Sequence, residues 1–460
     1  MNTAIKKNDV VTLHTTELLQ NGNALAKTED GFVVFVVGAA ANETVSAVII
    51  KVTKNYAVAK TLEILQPSPD RNGDGCPLSH KCGGCVFQHI TYESECSYKQ
   101  SAINDAFAHI GKLDLSLCEF IPSPNEKYYR NKAIYPVGEN ADGKLISGFY
   151  ARMSHRIVEH SDCFIGNPKF ISIRDSVLEF LNRNNVSAYN ELAQKGLVRS
   201  IYIRTGEDFN QTALSLILNG KVLVSEKLES EFVSFINEKC PEVSTILINT
   251  NTKASNAVLG KDWRTLFGDG YIYDTLCDKR FRITPASFWQ VNRLGACALY
   301  GKAKEYANLQ KGEMLLDLYC GTGSVGICIA DKENKLFGVE ITPEAVKDAS
   351  YNASLNGIDA EFICADAENA LDDEKVKNLR PDVITVDPPR KGCDGTVEKI
   401  ASFGAKRIVY ISCDPATLAR DLAQFEKCGY KAQKACGVDM FARTGHCEVV
   451  VQLCHEEKEK

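Results

Sequence analysis

Leu315-Leu-Asp-Leu-Tyr-Cys-Gly-Thr-Gly-Ser324 puts an acidic strand end directly before a glycine-rich turn. Where such a turn opens a helix, the missing side chains let backbone approach a ligand closely. The next strand-like run ends at Glu340, 19 residues beyond Gly321, the spacing at which a carboxylate meets ribose hydroxyls in a nucleotide-type site. By itself Gly-Thr-Gly describes an ordinary strand-to-helix turn equally well. It gains weight from Asp366 in Cys-Ala-Asp and Asp387 in Val-Asp-Pro-Pro-Arg, which put polar chemistry at the carboxyl ends of later strand-like runs. Open α/β sheets bind ligands at that edge.

Around this loop, strand-like runs at 314–319, 335–340, 360–364, 382–387 and 407–412 alternate with helical stretches, which implies a parallel sheet covered on both faces. A last strand pair, 430–438 and 447–453, is expected to close the sheet edge. Toward the N-terminus, residues 8–65 alternate in short runs broken by Asn21-Gly22 and Asp30-Gly31, the pattern of a small all-β barrel. The Pro-rich stretch 66–75 reads as a linker. Residues 92–113 carry Ile103, Phe107 and Ile110 at helical spacing and predict one amphipathic helix. Between 128 and 272, strand-like runs at 199–204, 212–218 and 244–250 dominate, with helical pieces at 170–182 and 225–237, so a second, mainly β domain is expected.

A chain of 460 residues has room for about three domains. With 53 Lys and Arg against 59 Asp and Glu the net charge is −6, so contact with nucleic acid must come from local basic patches. No window has the roughly eighteen consecutive apolar residues of a membrane span, and MNTAIKKND lacks the apolar core of a signal peptide. A cytoplasmic protein with no membrane association is expected. Eighteen cysteines in such a chain point to reduced thiols, metal ligation or catalysis rather than disulfides.

Five cysteine and acid positions, in three places, carry candidate chemistry. Cys413, in Ser-Cys-Asp-Pro-Ala-Thr-Leu, lies just past a strand and ahead of a helix, whose dipole is expected to stabilise a thiolate nucleophile. Glu448 opens the apolar run Val-Val-Val-Gln-Leu-Cys; read alone it is equally an ordinary strand-end charge. Cys76, Cys82 and Cys85 cluster around Gly83-Gly84, a spacing that suits a metal centre completed by a distant fourth ligand. Spacing does not separate zinc from iron–sulfur. For nucleic acid, Lys127-Tyr-Tyr-Arg-Asn-Lys132 interleaves cations with aromatic rings, and Arg152, His155 and Arg156 form a second basic group. Lys51, Lys54 and Lys60 with Tyr56 are weaker contacts of the same kind.

The blocks ITPASFWQVN (283–292), LDLYCGTG (316–323), VDPPRKG (386–392), SCDPATL (412–418) and DMFARTGHCE (439–448) resemble, in order, those of the RNA uracil-5-carbon methyltransferases, particularly the bacterial 23S ribosomal RNA enzymes. The barrel resembles a TRAM domain, and Cys76, Cys82 and Cys85 with Cys163 resemble that family's iron–sulfur ligands; Cys96 and Cys118 rank behind Cys163. The resemblance implies a multi-domain α/β chain in three parts. These are an OB-like TRAM barrel (1–66), a central RNA-binding domain with the cluster (67–91 and 119–283), and a Rossmann-like methyltransferase domain (92–118 and 284–460). It implies S-adenosylmethionine and a structural [4Fe–4S] cluster, ranked ahead of zinc, as cofactors, with 23S rRNA as partner and no obligate protein partner. Cys413 would add to uracil carbon 6 and Glu448 would remove the carbon 5 proton. Gln290, Tyr319, Glu340, Asp366 and Asp387 would surround the cofactor. Asp414 and Ser324 depart from the family's more frequent Asn and carry no assigned role. The alternatives are a transfer RNA uracil-5-methyltransferase, an exocyclic-amine methyltransferase, which needs no thiol, and a non-catalytic iron–sulfur RNA-binding factor.

Overall fold

The computed structural model describes residues 5–255, 257–393 and 395–455. The chain packs as two compact units, the first made of Met1–Ser101, Phe149–Val158 and Phe441–His446, the second of Ala102–Gly148, Glu159–Met440 and Cys447–Lys460. Among the described residues no helix is long and apolar enough to cross a membrane.

In the first unit, strands Val10–Leu18, Asn23–Lys27, Val33–Val37, Thr44–Val52 and Tyr56–Gln66 close a five-stranded barrel. Its interior follows the period of two that strands impose: Ala24 and Ala26, Val34 and Val36, Val45, Ala47 and Ile49, Ala57 and Ala59 are buried. So many small residues suit the narrow lumen of a small barrel. The stretch expected to be a linker is anchored. Arg71 forks onto the buried Glu43, with Nη2 2.6 Å from Oε2, and pairs by a backbone bridge with Ile90. Glu43 also accepts the Ala40 and Ser68 amides at 2.8 and 3.3 Å.

The second unit holds two main sheets. The six-stranded sheet runs in the order Asp262–Phe267, Val243–Thr250, Gln211–Leu218, Val198–Gly206, Lys132–Glu139, Leu145–Ser147, with helices Lys169–Arg183 and Glu226–Lys239 packed against it. The eight-stranded sheet runs Asp359–Cys364, Lys335–Glu340, Met314–Leu318, Val383–Val386, Arg407–Ser412, Glu448–His455, Tyr430–Val438, Glu119–Ile121. Its first five strands are parallel, and all but the edge strand Asp359–Cys364, which is half-buried at most, are largely buried apolar runs, as strands covered on both faces are.

The structure corrects the sequence expectation in two places. The final strand pair does not close the sheet edge: Glu448–His455 inserts antiparallel between its neighbours, and Glu119–Ile121 takes the edge, parallel to Tyr430–Val438. Glu448–Leu453 is almost wholly buried, so it belongs inside a sheet. The helix over 92–113 ends its regular turns at Asp105 and continues as a π-helix, Ala106–Gly111. The wider π turn shifts the phase of the following residues, so Ile103 and Phe107 are buried while Ile110 is 53% exposed.

Candidate active site

The strand order reverses at Met314–Leu318, which has Lys335–Glu340 on one side and Val383–Val386 on the other. A crevice forms at the carboxyl ends of strands at such a point. The loop leaving Leu318 turns through three positive φ angles, Tyr319 at 62°, Gly321 at 55° and Gly323 at 78°. A Cβ on Gly323 would stand 2.9 Å from the Ile327 side chain, whereas one on Gly321 would meet nothing within 4 Å. The loop is thus packed from below and open above. Glu340 fixes it, accepting the Gly321 amide on Oε2 at 3.1 Å and the Thr342 amide on Oε1 at 2.8 Å. Beneath it the buried Asp317 accepts Thr385 Oγ1–H at 2.6 Å and the Gly326 amide at 2.9 Å. Burial pushes the Asp317 carboxyl up to about 7.

Gln290 lies at the end of a loop held by one acid. Asp348, buried on helix Pro343–Leu355, accepts Thr284 Oγ1–H at 2.8 Å, Ser287 Oγ–H at 2.6 Å and an Arg282 N–H at 3.0 Å. Asn292 ends the loop by capping helix Arg293–Ala307 through the Gly295 amide. Phe288 is left 66% exposed on this loop beside Trp289, which is buried. Asn131 joins the stretch 127–132 to it, donating Nδ2–H to the Gln290 carbonyl at 3.0 Å and its amide to the Val291 carbonyl at 2.8 Å.

The acid–thiol group stands on three neighbouring strand ends. Asp387 follows Val383–Val386, Cys413 follows Arg407–Ser412, and Glu448 begins Glu448–His455. Burial pushes the Asp387 carboxyl up to about 7, helped by the charge of Asp317. Burial holds Glu448 well above the ordinary glutamate range; Asp387 adds to this and Arg390 opposes it. The Cys413 thiol is also raised, by burial first and then by Glu448, Asp387 and Asp414, with Arg390 as the opposing cation. The expectation of a dipole-stabilised thiolate is therefore corrected. The N-cap of helix Pro415–Lys427 is Asp414, whose Oδ1 accepts the Thr417 amide at 2.9 Å. Its carboxylate takes up the positive helix end and stands as a like charge beside the sulfur.

Cys413, Glu448 and Asp387 are thus in one electrostatic group, and Glu340 holds the glycine loop. Asp366 caps the short helix Ala367–Ala370 through the Glu368 amide at 3.1 Å and acts on Tyr319 electrostatically. Tyr319 is half-buried against the sheet's apolar core. Three further participants were assigned no role from the sequence, although Asp317 and Arg390 lie within the quoted blocks. Tyr300, buried on helix Arg293–Ala307, has its hydroxyl 3.4 Å from Gln290 Nε2 and 3.3 Å from Ser324 Oγ, and joins the two cofactor-side loops. Arg390 is the group's cation, and Asp317 its buried neighbour. Helical spacing marks Tyr300 only as core, and its role depends on a hydroxyl contact that no pattern reports.

The residues around the glycine loop fit an adenosyl cofactor. They offer an open backbone cradle, a carboxylate with free lone pairs at the second strand end, and a buried Thr322 Oγ1 without a hydrogen-bond partner. The metal centre is not carried in the same way. Cys76 and Cys82 act on each other electrostatically, and the Gly84 amide points to Cys82 Sγ at 3.4 Å. Yet among the described residues no three His, Cys, Asp or Glu side chains are arranged to hold a metal ion. Of the four expected ligands, Cys76, Cys82 and Cys85 belong to the first unit and Cys163 to the second.

The family described as tRNA (Uracil-5-)-methyltransferase matches residues 258–456, and the TRAM domain matches residues 6–62. A Clostridium tetani chain described as an uncharacterized RNA methyltransferase is 39% identical over 453 residues, covering 98% of this chain and 97% of its own. A Halalkalibacterium halodurans chain of the same description is 38% identical, covering 98% of each. Among solved structures, the Pyrococcus abyssi tRNA (uracil-54, C5)-methyltransferase, in complex with S-adenosyl-L-homocysteine, superposes with a TM-score of 0.77. At 23% identity, over 96% of this chain and 100% of that one, it shares the fold. Matching blocks, a TRAM barrel and full-length relatives agree: the chain belongs to the RNA uracil-5-carbon methyltransferase family, as an enzyme with an N-terminal TRAM domain.

Proposed function

We propose that the enzyme methylates carbon 5 of a uridine in 23S ribosomal RNA, with Cys413 as nucleophile and Glu448 as base. The observation that carries this is the electrostatic contact of the Cys413 thiol with Glu448 and Asp387 at the sheet edge. Uracil carbon 5 is a weak nucleophile. Adding the Cys413 sulfur to carbon 6 forms an S–C bond and moves the double-bond pair onto carbon 5 and oxygen 4. S-adenosylmethionine, which the glycine loop and Glu340 would hold, would supply an electrophilic methyl group to carbon 5, with the thioether of S-adenosylhomocysteine as leaving group. Glu448 then takes the carbon 5 proton, the C5=C6 bond reforms and sulfur leaves.

The residues divide this work by environment. The Cys413 thiol and the Glu448 carboxyl are both raised above their ordinary values, so the thiol must give its proton to solvent, with Arg390 favouring the thiolate, and Glu448 must be ionised before it can accept the carbon 5 proton. Glu340 orients the ribose, and Gln290 and Asp387 flank the reacting centre. Phe288 offers a ring on which an extruded base can stack. Lys127–Lys132 and the Arg152, His155 and Arg156 group engage flanking RNA.

Mass-spectrometric mapping of 5-methyluridine in ribosomal and transfer RNA, from cells with and without the gene, tests the target. Loss confined to transfer RNA assigns the alternative substrate. Cys413→Ala is expected to abolish transfer, and product methylated on nitrogen by that variant would remove the thiol mechanism. An iron–sulfur cluster on Cys76, Cys82, Cys85 and Cys163 rests on their spacing and the family likeness alone, and no reaction step passes through it. Iron and sulfide assays on anaerobically purified protein decide it; stoichiometric zinc in colourless protein rejects it.

A further inference from the structure

Antiparallel strands Lys132–Glu139 and Val198–Gly206 pair so that Lys132 and Arg204 stand directly opposite each other. Like charges at opposed positions destabilise a sheet. The cost here is raised by burial: Arg204 is 1% exposed, and its Nε has no hydrogen-bond partner. Its guanidinium donates to the Ser287 carbonyl at 3.4 Å and lies against Tyr202. Arg130, two residues before Lys132, adds a third cation and likewise has a buried Nε without a partner. Burial, followed by the fields of Arg204 and Arg130, brings the Lys132 ammonium down to about 8. Among the described residues the charges that act on it are these cations, with no carboxylate beside them. Several other buried or half-buried arginines of this unit have acids, Arg282 with Asp348, Arg293 with Glu207 and Asp208, Arg407 with Glu313, whereas Arg199 shares the unpartnered Nε but has no opposed cation among its strand partners.

Desolvated cations without a counter-charge are rare unless a ligand supplies it. The cluster also has a definite address. Arg204 bonds to Ser287 and Arg130 pairs by a backbone bridge with Asn292, so the three cations flank the loop that presents Phe288 and Gln290. We propose that Arg130, Lys132 and Arg204 form a binding site for one phosphodiester of the RNA substrate, at the nucleotide engaged by the Phe288–Gln290 loop. The unmade Nε–H bonds and the Lys132 ammonium supply the charge-assisted donors that a phosphate accepts. This rests on the reading that the substrate is RNA, and it assigns the stretch 127–132 a single job in which Lys132 and Arg130 act together with an arginine 72 residues downstream of Lys132.

The test uses the full chain and deproteinised total RNA from cells lacking the gene. Lys132→Met keeps the stem and removes the charge. It is expected to weaken RNA binding, measured by filter retention, about tenfold, the loss of one charge-assisted contact. It should also flatten the slope of log affinity against log salt by roughly 0.7 to 0.9. Its thermal midpoint should equal or exceed that of the parent, because a like-charge pair has been removed. The KM for S-adenosylmethionine should stay put, and Lys132→Arg should restore RNA affinity to within about threefold. Unchanged affinity and salt slope in Lys132→Met overturn the proposal. So does a shift confined to the S-adenosylmethionine KM, which would give the cations to the cofactor's carboxylate. If the parent binds RNA but transfers no methyl group to it, the functional reading fails while the phosphate site stands.

Discussion

Glu43 in the barrel unit and Glu448 on the catalytic sheet are both buried glutamates, yet they are held on opposite sides of the ordinary value. Burial pushes the Glu43 carboxyl up, but the Arg71 fork and the Ala40 and Ser68 amides outweigh it and keep the group ionised. Burial pushes Glu448 the same way, and the next-largest influence on it is another acid, Asp387, so Arg390 only moderates the rise. A buried carboxylate with a full set of donors holds the fold together. One set among acids holds a proton in reserve, and that is what proton-transfer chemistry needs.

The comparison breaks first at Glu448. Glu448→Gln is expected to lower kcat by roughly 10³-fold, within the range for losing a positioned base, while leaving stability near that of the parent. Thiol addition does not need this residue, so a denaturation-resistant RNA–protein adduct should accumulate on gels. Normal turnover without an adduct would move the base elsewhere. The parent should show the matching pH dependence. Because Asp387 is raised to about 7, its charged fraction declines as pH drops through the neutral range, and kcat should fall with it.

At the other pole, Arg71→Ala leaves a carboxylate buried without its cation and is expected to cost roughly 3–5 kcal/mol in urea unfolding of the barrel unit. The pH effect has the same sense as at the active site, a loss on acidification, but it lies at lower pH because Glu43 is lowered and Asp387 is raised. Glu43 is lowered in the fold, so its contribution is present above the ordinary glutamate value and lost as pH falls through the folded one. Activity per folded molecule should be unaffected.

Much of the catalytic sheet was legible because its strands are apolar and its loop is marked by glycine. Glu340, Cys413 and Glu448 sit at strand ends that periodicity alone locates. The protonation of the site was not legible. A helix start after Cys413 predicts an activated thiol, but the same sequence supplies Asp414 as cap, and which effect wins depends on distances. The edge strand Glu119–Ile121 was invisible because three residues are too few to carry a period. Arg204 reads as one more strand charge until its cross-strand partner is known.

Asp317 sharpens the contrast further, since it is a buried acid doing a structural job without a cation. Both its oxygens accept hydrogen bonds, from Thr385 and from the Gly326 amide. Asn offers one acceptor only and would turn an N–H toward one of these donors, so Asp317→Asn is expected to cost about 1–3 kcal/mol in thermal or urea unfolding. Raised to about 7, Asp317 makes the folded protein bind more protons than the unfolded chain between its ordinary value and 7. Its ionisation therefore erodes stability as pH rises through that window.

The smallest effect is expected at Asp414. Asn caps a helix about as well as Asp, so Asp414→Asn should keep the Thr417 contact and the helix start. It removes one of the negative charges that raise the Cys413 thiol, leaving burial, Glu448 and Asp387 against Arg390. The pH profile of Cys413 alkylation, followed by mass spectrometry of the modified peptide, should move to lower pH, with thermal stability unchanged. Movement in the opposite direction would mean that the Asp414 carboxylate aids the thiolate through the cap rather than opposing it through its charge. The account of why this thiol is held protonated would then have to rest on Glu448 and Asp387 alone.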